Sequence, residues 1–290
     1  MRPLRNAAAA AALALALAAP AWALPPVWVV RDHDSTLVMF GSVHLLPPGT
    51  DWRPPALKDA LAHADQVWFE APMDAAGLSA ATQAALAHAF LPQGQSLNAL
   101  LSPAGRTRLE SAARLFGVPV AQFDRLQPWY AELMIQSALF QQIGIKGADG
   151  VEQQLWGGLS PDAQRVTLET PEEQIDFFAE APLKEQLASL EQTLKDVRNA
   201  RRDYDQLLKA WLGADVRTLD RKVVAPLRKN SPTLYDRVVV QRNARWVKAI
   251  DARLRGKGET VIVVGMGHLI GPDGLPARLR AQGFRVEGPG

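Results

Sequence analysis

The chain has 290 residues, of which 48% are hydrophobic and 21% charged, with 32 basic and 30 acidic side chains and no cysteine. That is enough apolar chain for a sizeable core, and it excludes a disulfide framework, a cysteine nucleophile, a zinc ribbon and a thiol lipid anchor. The near balance of charge gives no footprint for nucleic-acid binding.

The amino end is not expected to belong to the fold. Arg2 and Arg5 make a basic start, Ala7 to Ala19 an apolar Ala/Leu run, and Ala21-Trp22-Ala23 a small-x-small cleavage signature. Residues 1–23 therefore read as a secretory signal peptide, too short to span a bilayer. Cleavage removes two of the 32 basic residues and leaves 30 of each sign, in a single domain over residues 24–290 expected in the periplasm or secreted. No later stretch reads as transmembrane.

Val27 to Arg31 and Thr36 to Val43, separated by Asp32-His33-Asp34-Ser35, predict a hairpin. Pro54 to Ala64 predicts a helix opened by proline, and Gln66-Val67-Trp68-Phe69-Glu70 a strand ending in an acid. From Ala75 to Gln142 apolar residues recur at helical spacing, with breaks at Pro92, Ser102-Pro103 and Gly117-Val118-Pro119. Strand character returns over Gln164 to Leu168, just before Glu169, and Thr170-Pro171-Glu172-Glu173 caps a further helix. Leu183 to Leu254 reads as helices broken near Gly213 and Ser231-Pro232. Arg198, Arg201 and Arg202 alternate there with Asp196, Asp203 and Asp205, the pattern of a solvated helix face. Val261 to Val264, Gly274 to Gln282 and Phe284 to Glu287 predict a closing strand, helix and strand. The expected fold is α/β, of the α+β kind, with a central mixed sheet from the two ends of the chain. Its helical middle, about 75–255, forms an insertion or cap.

One short motif occurs twice, as Gly41-Ser42-Val43-His44 and as Gly265-Met266-Gly267-His268, each after an apolar β-type run. If these runs and the strands ending at Glu70 and Glu169 lie parallel in one sheet, two imidazoles and two carboxylates converge at one rim. Such a set can hold a divalent metal, with manganese, cobalt or zinc better suited to mixed imidazole and carboxylate ligation than calcium. The metal would acidify a bound water while a glutamate moves its proton, with Glu70 favoured as the catalytic partner. His33, His63 and His88 fall in a turn or on helices and read as surface residues. Trp129, after Pro128, reads as a core anchor.

Several further segments carry a family resemblance. Gly41 to Leu45, Glu70, Gly147 to Leu155, Leu168-Glu169-Thr170 with Gln174, Arg242-Asn243 before Trp246, and Val264 to Leu269 resemble, in order, the TraB/PrgY/GumN family. That family includes the TIKI proteins, metal-dependent proteases that cut Wnt ligands using paired Gly-x-x-His motifs and a glutamate. The resemblance implies that His44, His268 and Glu70 bind metal and catalyse and that Arg242 stabilises an oxyanion or a substrate carboxylate, while the sequence leaves open which of Glu70 and Glu169 ligates and which acts as base. It also implies a peptide or protein substrate. Gly147-Ala148-Asp149-Gly150 aligns with the family's Gly-x-Asp segment in two ways, so the place of Asp149 differs between them. Two other readings compete: a haem- or ligand-binding protein using His44 or His268, and a non-catalytic interaction protein working through its helical cap.

Overall fold

A computed structural model describes residues 24–145 and 147–289. The signal-peptide assignment falls outside the described residues.

The sheet has six strands in the order β4-β3-β5-β2-β1-β6, namely β1 (Val27–Arg31), β2 (Ser35–Ser42), β3 (Gln66–Phe69), β4 (Gln164–Thr167), β5 (Gly258–Gly265) and β6 (Val286–Glu287). The four strands β4, β3, β5 and β2 are mutually parallel, whereas β1 runs antiparallel to both β2 and β6. This is the expected mixed sheet, built from both chain ends with β4 added at one edge from within the helical middle. Its centre is apolar for a physical reason. Parallel strands covered on both faces must be apolar throughout, and the Thr260 to Val264 stretch of β5 is wholly buried.

The helices follow in chain order. First come α1 (Pro55–His63), α2 (Ala75–Ala87), α3 (Leu97–Leu100), α4 (Pro103–Phe116), α5 (Pro128–Gln142) and α6 (Val151–Gly158). Next are α7 (Pro171–Ala179), α8 (Leu183–Asp196), α9 (Ala200–Leu212), α10 (Val216–Leu219), α11 (Ala225–Asn230), α12 (Pro232–Tyr235), α13 (Arg242–Leu254) and α14 (Leu275–Ala281). Several starts are those the sequence announces. Ser102 accepts from Gly105 N–H ahead of Pro103, and Thr170 and Glu173 form a reciprocal capping box.

Two apolar cores result. One joins the sheet to α1, α9 and α13 around Phe40, Trp52, Trp211 and Trp246. The other is built within the helical middle from Leu109, Phe123, Ile135, Leu190 and Leu194, on α4, α5 and α8 with the turn before α5. Trp129 is buried as expected, its indole N–H donating to the His88 carbonyl. His33, His63 and His88 are exposed, and Arg201 pairs with Asp205 on an exposed face of α9.

Two π-helical turns interrupt the later helices, at Asp220–Val224 and Asp236–Gln241. The second runs straight into Arg242. Widened turns of this kind re-aim the side chains that follow them and recur at functional sites.

Candidate active site

Strand register brings the motifs together. Phe69 of β3 and Phe40 of β2 both pair with Val263 of β5, so the three strands share one register, with β2 and β5 running two residues past the end of β3. Beyond β4 the ladder continues, with Leu168 N–H donating to the Phe69 carbonyl and Glu169 N–H to that of Glu70. The strands leading to His44, Glu70, Glu169 and His268 are thus neighbours with their carboxyl ends on one rim, as the sequence predicts.

Beneath that rim lies a charge network centred on Arg242. Its Nη2 donates to Glu70 Oε2 at 2.6 Å and to Glu169 Oε2 at 2.8 Å, its Nε to Glu169 Oε1 at 2.9 Å, and its Nη1 to His268 Nε2 at 3.0 Å. Arg245 adds a bond to Glu169, and Gln174 one to Glu70. The guanidinium also lies 4.7 Å from the Trp246 ring centre and 4.9 Å from that of Phe177. Glu70, Glu169, Arg242 and His268 are all buried.

His268 is held on both ring nitrogens. Asn243 Oδ1 lies 2.8 Å from Nδ1, and because Nε2 faces a guanidinium that can only donate, Nδ1 carries the ring proton. Burial lowers the His268 pKa to about 3, with Arg242 acting the same way and Glu70 opposing. This imidazole is neutral. For Glu70, burial pushes upward but the Arg242 guanidinium above all, with His44 and the Gly265 N–H, outweighs it, giving about 2. Glu169 moves the other way: burial raises it, reinforced by Glu70 and opposed by its bonds to Arg242.

The glycine of the second motif has a steric reason. Gly265 N–H donates to Glu70 Oε1 at 2.6 Å, and a Cβ there would sit only 3.2 Å from that oxygen. The glycine of the first motif has a similar one, since a Cβ on Gly41 would run into the Met266 side chain. The two Gly-x-x-His loops therefore pack directly on one another.

His44 is placed quite differently from His268. Its side chain is 68% exposed, and its Nδ1 lies 2.7 Å from Oε1 of Glu152, which is buried at the first turn of α6. The same oxygen accepts from Ser42 Oγ at 2.5 Å. The Glu152 carboxylate, above all, raises the His44 pKa, while the imidazole and Ser42 hold Glu152 ionised despite its burial. Helix α9 fixes the loop from behind: Trp211 Nε1 donates to the Gly41 carbonyl at 2.8 Å and the Tyr204 hydroxyl to that of Leu45 at 2.9 Å.

The family model described as TraB/PrgY/gumN family matches residues 26–288. The chain belongs to the TraB/PrgY/gumN family. It is 27% identical over 243 residues to the uncharacterized protein YbaP of Escherichia coli K12, covering 83% of this chain and 87% of the relative. The uncharacterized protein YbaP of Shigella flexneri matches to the same extent. No solved structure matches the chain.

Within this TraB/PrgY/gumN chain the four expected ligands do not face a common point. Arg242 fills the space between Glu70, Glu169 and His268 and takes up His268 Nε2, while His44 turns to Glu152. Among the described residues no group of three or more His, Asp or Glu side chains is placed to share an ion. As arranged, the residues do not fit a metal. Arg242, expected to face substrate, is instead engaged by carboxylates of the chain itself. Asp149 lies in a single turn before α6, and the acid that meets His44 is Glu152. Glu152, Gln174 and Asn243 lie within the resembling segments, but their roles come only from the structure. An acid in the first turn of a helix ordinarily serves the helix dipole at the surface, so nothing in the sequence marks Glu152 as buried.

His44 borders two cavities. One, about 330 Å³, lies between the two Gly-x-x-His loops against α9. The other, about 810 Å³, runs along α5. A third cleft of about 620 Å³, between α4 and α8, is lined by residues of neither motif.

Proposed function

We propose that this chain is an exported hydrolase acting on a peptide or protein, with His44 as its proton-transferring group. The observation that carries the proposal is the exposed imidazole of His44, oriented by a buried carboxylate and standing where two cavities meet. Glu152 keeps the ring proton on Nδ1 and leaves Nε2 for chemistry, the division of labour found wherever a carboxylate orients a catalytic histidine. In its neutral form Nε2 takes a proton from water as the water oxygen bonds to the substrate carbonyl carbon. The imidazolium then returns that proton to the nitrogen as the carbon–nitrogen bond breaks. Net, water adds across the amide, and Glu152 stabilises the cation formed midway.

The buried groups have a supporting part in this reading. Arg242 and Arg245 balance Glu70 and Glu169, and together with His268 these groups fix the Gly265 loop, which forms the wall opposite His44. No step is routed through a metal. Peptide substrates are favoured by the resemblance to the TIKI proteases, and export by the leader-like residues 1–23. No described helix is long and apolar enough to cross a membrane.

The test is cleavage of an unbiased peptide library by wild type and His44→Ala, with circular dichroism to confirm folding. Wild type should cut and the variant should be slower by about 10²-fold or more. Equal rates, or no cutting by wild type, would sink the proposal and favour a binding role.

A further inference from the structure

The two cavities that share His44 differ in chemistry. The smaller is walled by Leu207, Leu208, Trp211 and Val223, almost without polar groups. Its 330 Å³ is at the small end of ligand pockets, roughly 300–1,000 Å³, which suits one bulky side chain. The larger is bordered by Gln136, Ser137 and Gln141, which offer carboxamide and hydroxyl groups beside Leu133 and Phe140. Val223 and Leu133 are among the large apolar side chains left exposed, at 43% and 47%, one on each cavity. An apolar residue open to water at a cavity edge is stabilised when a ligand covers it.

We infer that the substrate is an extended peptide that crosses His44, seating a bulky apolar side chain in the α9 pocket and running its backbone along the α5 cleft. This rests on the hydrolase reading for the site, but the binding preference can be measured without turnover. The α5 cleft is what separates a peptide from an acyl chain. Backbone amides can pair with the exposed carboxamides of Gln136 and Gln141 and the hydroxyl of Ser137, whereas methylenes would displace their water and leave only the long bonds from Gln136 to Glu132 and from Gln141 to Ser137.

The experiment uses fluorescein-labelled heptapeptides that differ only at a central Leu, Phe, Ser or Asp. Binding is read by anisotropy on full-length mature His44→Ala, and cleavage on wild type. Leu and Phe peptides should bind about tenfold or more tightly than Ser and Asp peptides. Val223→Asp, at a position 43% exposed, and Leu208→Trp, which fills the pocket, should both bring that ratio toward one in variants whose circular dichroism matches wild type. Preference without cleavage would uphold the inference and sink the hydrolase reading. Cleavage without preference, or preference untouched by both variants, would overturn the inference and leave the hydrolase standing. Absence of both, or displacement of the Leu peptide by dodecanoate but not by unlabelled peptide, would also overturn it.

Discussion

Arg242 Nη2 and Glu70 Oε2 meet at 2.6 Å with both side chains shut away from water. The same guanidinium pairs with Glu169, so removing it leaves Glu70 buried without its guanidinium partner and Glu169 with Arg245 alone. Arg242→Met should therefore cost about 3–5 kcal/mol in urea unfolding, and Arg242→Lys should recover only part, because an ammonium cannot reproduce the fork. Wild-type stability in Arg242→Met would show that the network is not charged in the folded protein.

Stability should fall as pH drops below about 6.5. His268 titrates near 3 in the folded chain against 6.5 unfolded, so below 6.5 the unfolded state binds a proton that the folded state refuses. Burial enforces this, with the Arg242 guanidinium acting the same way and Glu70 beyond β3 opposing, while Asn243 of α13 and the Trp246 ring hold the imidazole in place. Glu70 adds a second loss as pH falls from 4.5 toward its folded value of about 2. His44 has the opposite sign, contributing below 6.5 and losing that as pH rises through its raised value, though water screens this exposed pair. Urea midpoints between pH 7 and 4.5 should show a slope approaching about 1.4 kcal/mol per pH unit from His268, and His268→Gln should flatten it.

Glu152→Gln keeps the shape of the His44 partner but removes its charge. Turnover of a peptide found in the library should drop by about 10²-fold with little change in KM, because the imidazolium formed midway loses its stabilisation. An unaffected kcat would mean that Glu152 only packs the loop.

Metal uptake gives a direct reading of Arg242. With the guanidinium holding Glu70, Glu169 and His268, manganese, cobalt or zinc must displace it to bind. Elemental analysis after dialysis against each metal should therefore find more bound to Arg242→Met than to wild type. Stoichiometric metal in wild type that disappears in His44→Ala would restore His44, His268, Glu70 and Glu169 as a shared ligand set.

The mature amino terminus should be Leu24. Intact-mass measurement on material from the periplasm checks this, and retention of residues 1–23 would overturn the assignment to the exported fraction.

The sheet was legible because parallel strands buried on both faces leave unbroken apolar runs, and the rim was legible because a polar residue closes each run. Leu37 to Phe40 before the first glycine and Val261 to Val264 before the second are such runs. Side-chain direction was not legible. His44 and His268 end identical motifs, yet one faces water and the other lies under Trp246, and that difference is decided by what packs from elsewhere. Glu152 arrives from α6 and Asn243 from α13, contacts no local spacing encodes. A charged Arg242 at the start of a helix likewise gives no hint in sequence that it is the centre of a buried network.

The position of β5 governs when the site can exist. This strand lies between β3 and β2 but is made last of the three, after almost the whole helical middle. Until it inserts, β2 and β3 have no shared neighbour, Glu70 has no Gly265 amide, and Gly41 lacks the Met266 side chain that packs against it. A growing chain therefore lacks the assembled rim over most of its length. Loss of the residues from Gly258 onward would remove the joint between two halves of the molecule rather than trim an end.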